Sequence, residues 1–183
     1  FNLGDNLVAQ RYFSNADRDA YSVAEKLAVA LPTAVGPLLI VLFTHRSSHH
    51  HADARLEQLK LAGLYAAGLV SGAVCLFLLR KFCVHLLNPN TPEAATMVGR
   101  LSLTMIFAGL LQLLGIWSLA SRWLKISLLY GGLGLVYWAL LFYFGKSPAN
   151  LLHVMPITAG TACGILFLVW LMTMRRHGSI PQS

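Results

Sequence analysis

The chain is expected to be an all-α membrane protein, a bundle of five transmembrane helices preceded by the stub of a sixth. Three features lead there. Hydrophobic residues make up 56% of the chain and charged residues only 11%, against about 25% charged in ordinary globular domains. The mean hydropathy is +0.62. The charges lie between long apolar runs rather than within them, the pattern of a polytopic membrane protein.

The first complete run is Leu27 to Phe43, bounded by Glu25 and Lys26 on one side and His45 and Arg46 on the other. About 17 helical residues reach ~26 Å, close to the ~30 Å hydrocarbon core of a bilayer. Pro32 and Pro37 lie inside it, so this span is expected to be bent or loosened. Its freed carbonyls then need neighbouring helices or water. Upstream, Phe1 to Phe13 mixes polar and apolar residues and is read as the end of a preceding helix, the chain being a piece of a longer protein. Ser14 to Asp19 is a polar turn rich in helix-capping types.

Downstream, His45 to Lys60 is a polar loop turning helical, and Leu61 to Leu79 is the second span. Arg80 and Lys81 are expected to stop it by reaching for the headgroups. Gly68 and Gly72 form a small-residue face for a neighbouring helix. The turn residues Asn88, Pro89, Asn90 and Pro92 separate it from the third span, Leu101 to Ala120. Ser121 to Lys125 is short enough to make the third and fourth spans antiparallel neighbours. The fourth, Ile126 to Phe144, is rich in glycine and aromatics. The fifth, Val154 to Met174, follows the loop Gly145 to His153 and ends at Arg175 and Arg176. The tail 178–183 is expected to be disordered.

The net charge of +7 is assigned to headgroups and topology rather than to nucleic acid, because no basic face interrupts the apolar pattern. The positive-inside rule does not orient the chain. Arg46, Arg55, Lys60, Arg122, Lys125, Arg175 and Arg176 fall on one side. Arg11, Arg18, Lys26, Arg80, Lys81, Arg100 and Lys146 fall on the other, seven against seven. Cys75, Cys83 and Cys163 have no metal-type spacing and are read as small packing residues.

The histidine cluster His45, His49, His50 and His51, with Asp53, is read as a solvated polar loop. No second intramembrane cluster would carry an ion onward, so no metal site is assigned. Lys26 stands out more, since a cation at the mouth of a membrane helix needs water, a partner or a ligand. It is a headgroup anchor, a local partner of Glu25 or of an acid in Asp17 to Asp19, or an electrostatic handle for an anionic ligand, with Arg11 and Arg18 as helpers. Asp5 is a candidate ion or proton site if its helix is embedded. Gln112, Ser71, Ser102, Thr104, Thr158 and Thr161 are expected to hydrogen-bond between helices or to their own backbone. Tyr130 and Tyr137 share a face, with core packing as the default. Nucleophile–base and phosphate-loop motifs are absent, so neither an enzyme nor a cofactor is expected.

The stretch LVAQRYFSNADRDAYSVAEKLAVALPTAVGPLLIVLFTHRS resembles the start of the second half of flippases for polysaccharide and lipid-linked oligosaccharide. These belong to the multidrug/oligosaccharidyl-lipid/polysaccharide exporter superfamily. The resemblance rests on Asp5, the turn SNADRD, the entry Tyr21/Ala24/Lys26/Leu27, the Pro32/Gly36/Pro37 run and the exit Arg46/Ser47/Ser48. It implies the C-terminal lobe of a twelve-helix transporter of the bacterial inner membrane. Such a transporter flips a polyprenyl-pyrophosphate-linked glycan by alternating access, and its partners are the bilayer, the glycan lipid and an N-terminal lobe of the same protein. Lys26 matches a cavity-lining basic position, with lysine in place of arginine. Lys26, Arg11, Arg18 and Asp5 are thus the candidate substrate-binding residues, and the histidine-rich loop is implied to be cytoplasmic. The competing expectations are a membrane scaffold or anchoring subunit, and a drug exporter of the same superfamily.

Overall fold

The computed structural model describes residues 2–48, 52–120 and 124–177. They form six helices: α1 (Asn2–Tyr12), α2 (Asn15–Ser48), α3 (Ala52–Leu87), α4 (Ala94–Ala120), α5 (Leu124–Phe144) and α6 (Pro148–His177). No strand occurs among the described residues. Five of the helices, α2 to α6, are long and apolar enough to cross a membrane, and the chain is a multi-pass membrane protein. The tail 178–183 and His49, His50 and His51 lie outside the described residues, as do the side chains of His45 and Asp53.

The helices are longer than the charge-free runs. Arg80 and Lys81 do not end α3, which continues to Leu87. Both residues are good helix formers, and a charge at the headgroup level leaves the backbone ladder intact. The helix ends where Pro89 follows and Asn88 takes over the bonding. The Asn88 side chain accepts from the Asn90 amide at 3.0 Å, and the Asn88 carbonyl accepts from the Thr91 amide at 3.3 Å. Likewise the polar turn before α2 shrinks to Phe13 and Ser14. The Ser14 hydroxyl accepts from the Asp17 amide at 3.2 Å and donates to its carboxylate at 2.7 Å, a cap that starts α2 there. α2 runs unbroken through Pro32 and Pro37. The loop after α5 is also shorter than expected: Pro148 opens α6, with Ser147 accepting from the Asn150 amide at 3.3 Å.

α4 is the central helix. It packs against α2, α3, α5 and α6, and 61% of its most apolar window is buried, against 17–22% in the other four spans. Close approach on one side comes from the expected glycine face. A Cβ on Gly68 would meet the Val35 side chain at 2.9 Å, and one on Gly72 would meet the Leu31 side chain at 3.0 Å, so these two side chains of α2 lie directly on the backbone of α3. At the α3–α4 crossing Gly109 leaves room for Leu69 and for Tyr65, whose hydroxyl donates to the Gly109 carbonyl at 3.4 Å. On α6, Gly160 faces Phe107, whereas Gly164, four residues on, opens onto space. Leu78, Leu86, Leu128 and Leu135 are each more than 70% exposed, as a lipid-facing surface requires.

Phe13, Tyr21, Val84, Ala95, Leu141 and Leu151 share one core cluster. The end of α1, the start of α2, the α3–α4 turn and the α5–α6 turn therefore meet at one end of the bundle.

Most intramembrane hydroxyls bond within their own helix. Thr104, Thr158 and Thr161 donate to the carbonyl four residues back, at 2.7–3.0 Å, and Ser71 to the one three back. Ser102 departs from that expectation, since its buried hydroxyl has no partner among the described residues. Gln112 is exposed. It lines a groove of about 450 Å³ with Gly36, Ile40, Gly115 and Tyr130. Of the two tyrosines on α5, Tyr137 is buried in the core and Tyr130 half-buried.

Candidate functional site

Two short helical faces meet where α1 joins the bundle. On α1, Asp5, Val8 and Ala9 point inward at i, i+3 and i+4. On α2 the inward face is Ala20, Tyr21, Ala24 and Ala28, and its alanines leave the tyrosine ring as the one large group. Phe13 holds that ring edge-on at 5.8 Å and 85°.

Asp5 is 1% exposed. One carboxylate oxygen accepts from the Tyr21 hydroxyl at 2.9 Å and the other from the Asn6 amide at 3.1 Å. The Asn6 side-chain amide donates to Glu25 at 2.7 Å, and Glu25 is itself buried, 9% exposed. On the far side of the tyrosine hydroxyl lies the Met155 sulfur at 3.8 Å. Thr104, Ala108, Tyr137 and Ala159 close the space around Asp5 into a crevice too tight for a water molecule. Two carboxylates are thus joined through neutral donors in a dry, apolar bundle. Among the described residues neither accepts a hydrogen bond from a lysine or arginine. Such a cluster is suited to holding a proton or a small cation, because either relieves the burial of charge and the repulsion between the two carboxylates.

The four residues singled out in the sequence do not form one constellation. Asp5 lies in the core. Lys26 is exposed on α2, turned away from Asp5 and Tyr21, and its neighbour Glu25 faces inward to Asn6. The two members of the expected local Glu25–Lys26 pair thus sit on different faces of the helix, although the Lys26 charge still acts on Glu25. Arg18 is half-buried at the α1–α2 joint and donates to the Gln10 carbonyl at 3.0 Å. It thereby caps the last turn of α1, where carbonyls are unsatisfied and the helix dipole favours a cation. Arg11 is exposed, its guanidinium 5.7 Å from the Tyr12 ring centre.

Tyr21, Asn6 and Glu25 were not assigned to Asp5 from the sequence. The available signal was the i, i+4 spacing of Tyr21 and Glu25 at a helix entry, one short turn after a helix carrying an acid. No group of three or more His, Cys, Asp or Glu gathers for a metal among the described residues. No family model matches the chain, and neither a curated protein nor a solved structure resembles it at a significant level.

Proposed function

We propose that the chain is one lobe of a membrane transporter, the C-terminal half of a flippase carrying a polyprenyl-pyrophosphate-linked oligosaccharide across the bacterial inner membrane. The observation that carries this reading is the buried Asp5–Tyr21–Asn6–Glu25 cluster. A purely structural bundle has little use for two carboxylates in its apolar core, since each is costly to keep in lipid without a counter-charge. A transporter uses such a site to bind and release a proton or cation as its lobes rearrange. Lys26 supplies the second element, a cation on the outer surface of α2, where the resemblance to glycan-lipid flippases puts the substrate pyrophosphate. Arg11 stands exposed near the α1–α2 joint, and Arg18 keeps α1 seated on α2.

The test is glycan export by the full-length protein carrying Lys26→Ala. Losing one charge-assisted contact to phosphate is expected to lower export about tenfold or more, with membrane insertion unchanged. Export at the wild-type rate would reduce Lys26 to a headgroup anchor and remove the substrate assignment.

A further inference from the structure

A second cationic feature lies outside the Asp5 cluster. The end of α3 and the start of α4 enclose a cavity of about 620 Å³. Arg80, Lys81 and Arg100 line it with His85, Thr96 and Phe77, and the lining contains no acidic residue. Glu93, the acid of the connecting turn, is exposed and lies outside that lining.

The floor of the cavity is built. Gly99 lets the Phe77 ring lie against α4, where a Cβ would come within 3.1 Å of it. The Arg80 guanidinium sits over the same ring, 4.0 Å from its centre, and donates to the Phe77 carbonyl at 3.3 Å. Stacking and this single bond fix the plane of the guanidinium and leave further donors on its fork for an oxyanion. Lys81 and Arg100 are exposed at the rim.

The level in the membrane fits an interfacial ligand. Arg80 and Lys81 follow the charge-free stretch Leu61 to Leu79, and Arg100 immediately precedes the stretch from Leu101. The three cations therefore stand at one hydrocarbon boundary on two adjacent helices. Along α3, on the hydrocarbon side of them, run exposed Val74, Phe77 and Leu78, a surface for acyl chains.

We propose that this cavity binds the phosphate headgroup of an anionic phospholipid, with the acyl chains lying along α3. Phosphate against three cations gives charge complementarity, and the adjoining apolar face selects a lipid over a soluble anion. Anchoring the α3–α4 hairpin in this way fixes its depth in the bilayer.

Native mass spectrometry of the full chain, titrated with phosphatidylglycerol or phosphatidylcholine of matched acyl chains, tests it. Each cation near an anionic headgroup adds about fivefold in affinity, so phosphatidylglycerol is expected to be retained at least tenfold over phosphatidylcholine. Arg100→Gln should lower that preference about fivefold, and the triple variant Arg80→Gln, Lys81→Gln, Arg100→Gln should abolish it. Lys26→Gln should keep it, which separates this site from the proposed substrate site. Equal retention of the two lipids, or a preference surviving in the triple variant, overturns the proposal. So does displacement of the lipid by excess inorganic phosphate, which would make the cavity a site for soluble anions. A melting temperature in phosphatidylcholine equal to that of the unmodified chain verifies that the variants fold.

Discussion

Asp5→Ala is expected to destabilise the bundle by about 1–3 kcal/mol, because the substitution strips a buried hydroxyl of its acceptor. The Tyr21 hydroxyl would be left facing the Met155 sulfur at 3.8 Å, a weak acceptor. Asp5→Asn should cost less, since its amide oxygen still accepts from Tyr21 even though its NH2 cannot accept from the Asn6 amide, and it cannot gain or lose a proton. The two variants therefore separate structure from function. Asp5→Asn should lower the melting temperature less than Asp5→Ala does and lose coupled transport in the full-length protein, whereas Asp5→Ala should lose both stability and transport. A double-mutant cycle with Tyr21→Phe should show an interaction energy of about 0.5–3 kcal/mol, as expected for residues in one network. Additive effects would mean that the 2.9 Å bond contributes nothing to stability. Full transport by Asp5→Asn would end any role for this carboxylate in coupling.

Gly145→Ala is expected to cost about 1–3 kcal/mol from a single added methyl, in the range for overpacking. Gly145 is buried in the α5–α6 turn, and its amide donates to the Leu141 carbonyl at 2.8 Å. A Cβ there would lie 2.5 Å from that carbonyl oxygen, 2.8 Å from Leu151 and 3.1 Å from Val8. Side chains can swing aside, but the carbonyl belongs to the backbone of α5 and cannot. The strain would pass to Val8 and so to α1, the helix that carries Asp5. Thermal unfolding in detergent should report the loss, and faster hydrogen exchange in α1 should accompany it. Gly131→Ala, on the open face of α5, should be neutral in both. Unchanged exchange in α1 for Gly145→Ala would separate the α5–α6 turn from the Asp5 site.

The helical bundle was legible from hydropathy because each span is an apolar run long enough for lipid and closed by charge. The glycine pair Gly68 and Gly72 was legible for a related reason, since small residues four apart on a membrane helix commonly form a packing face. Helix ends were less legible. Hydropathy marks where lipid stops, whereas hydrogen bonding and caps decide where a helix stops, and Arg80 and Lys81 satisfy the first without affecting the second. The candidate site was legible only in part. Asp5 was visible as an acid in a stub of helix, but its partners follow from how α1 folds back on α2, which no local pattern records. The inward turn of Glu25 was hidden by its neighbour Lys26, because adjacent opposite charges look like a pair. On a helix, consecutive residues point about 100° apart, and the packing assigned the acid to the core and the base to the surface.

The self-bonded hydroxyls bear on how the protein is made. Thr33, Thr104, Ser118, Thr158, Thr161 and Thr173 each donate to a carbonyl one turn back in the same helix. Those segments leave the translocon with these hydroxyls already satisfied, and they can wait in lipid alone. Asp5 has no such local solution for its second oxygen, whose donor is a tyrosine sixteen positions later. The segment bearing it gains that donor only once Tyr21 on α2 has emerged.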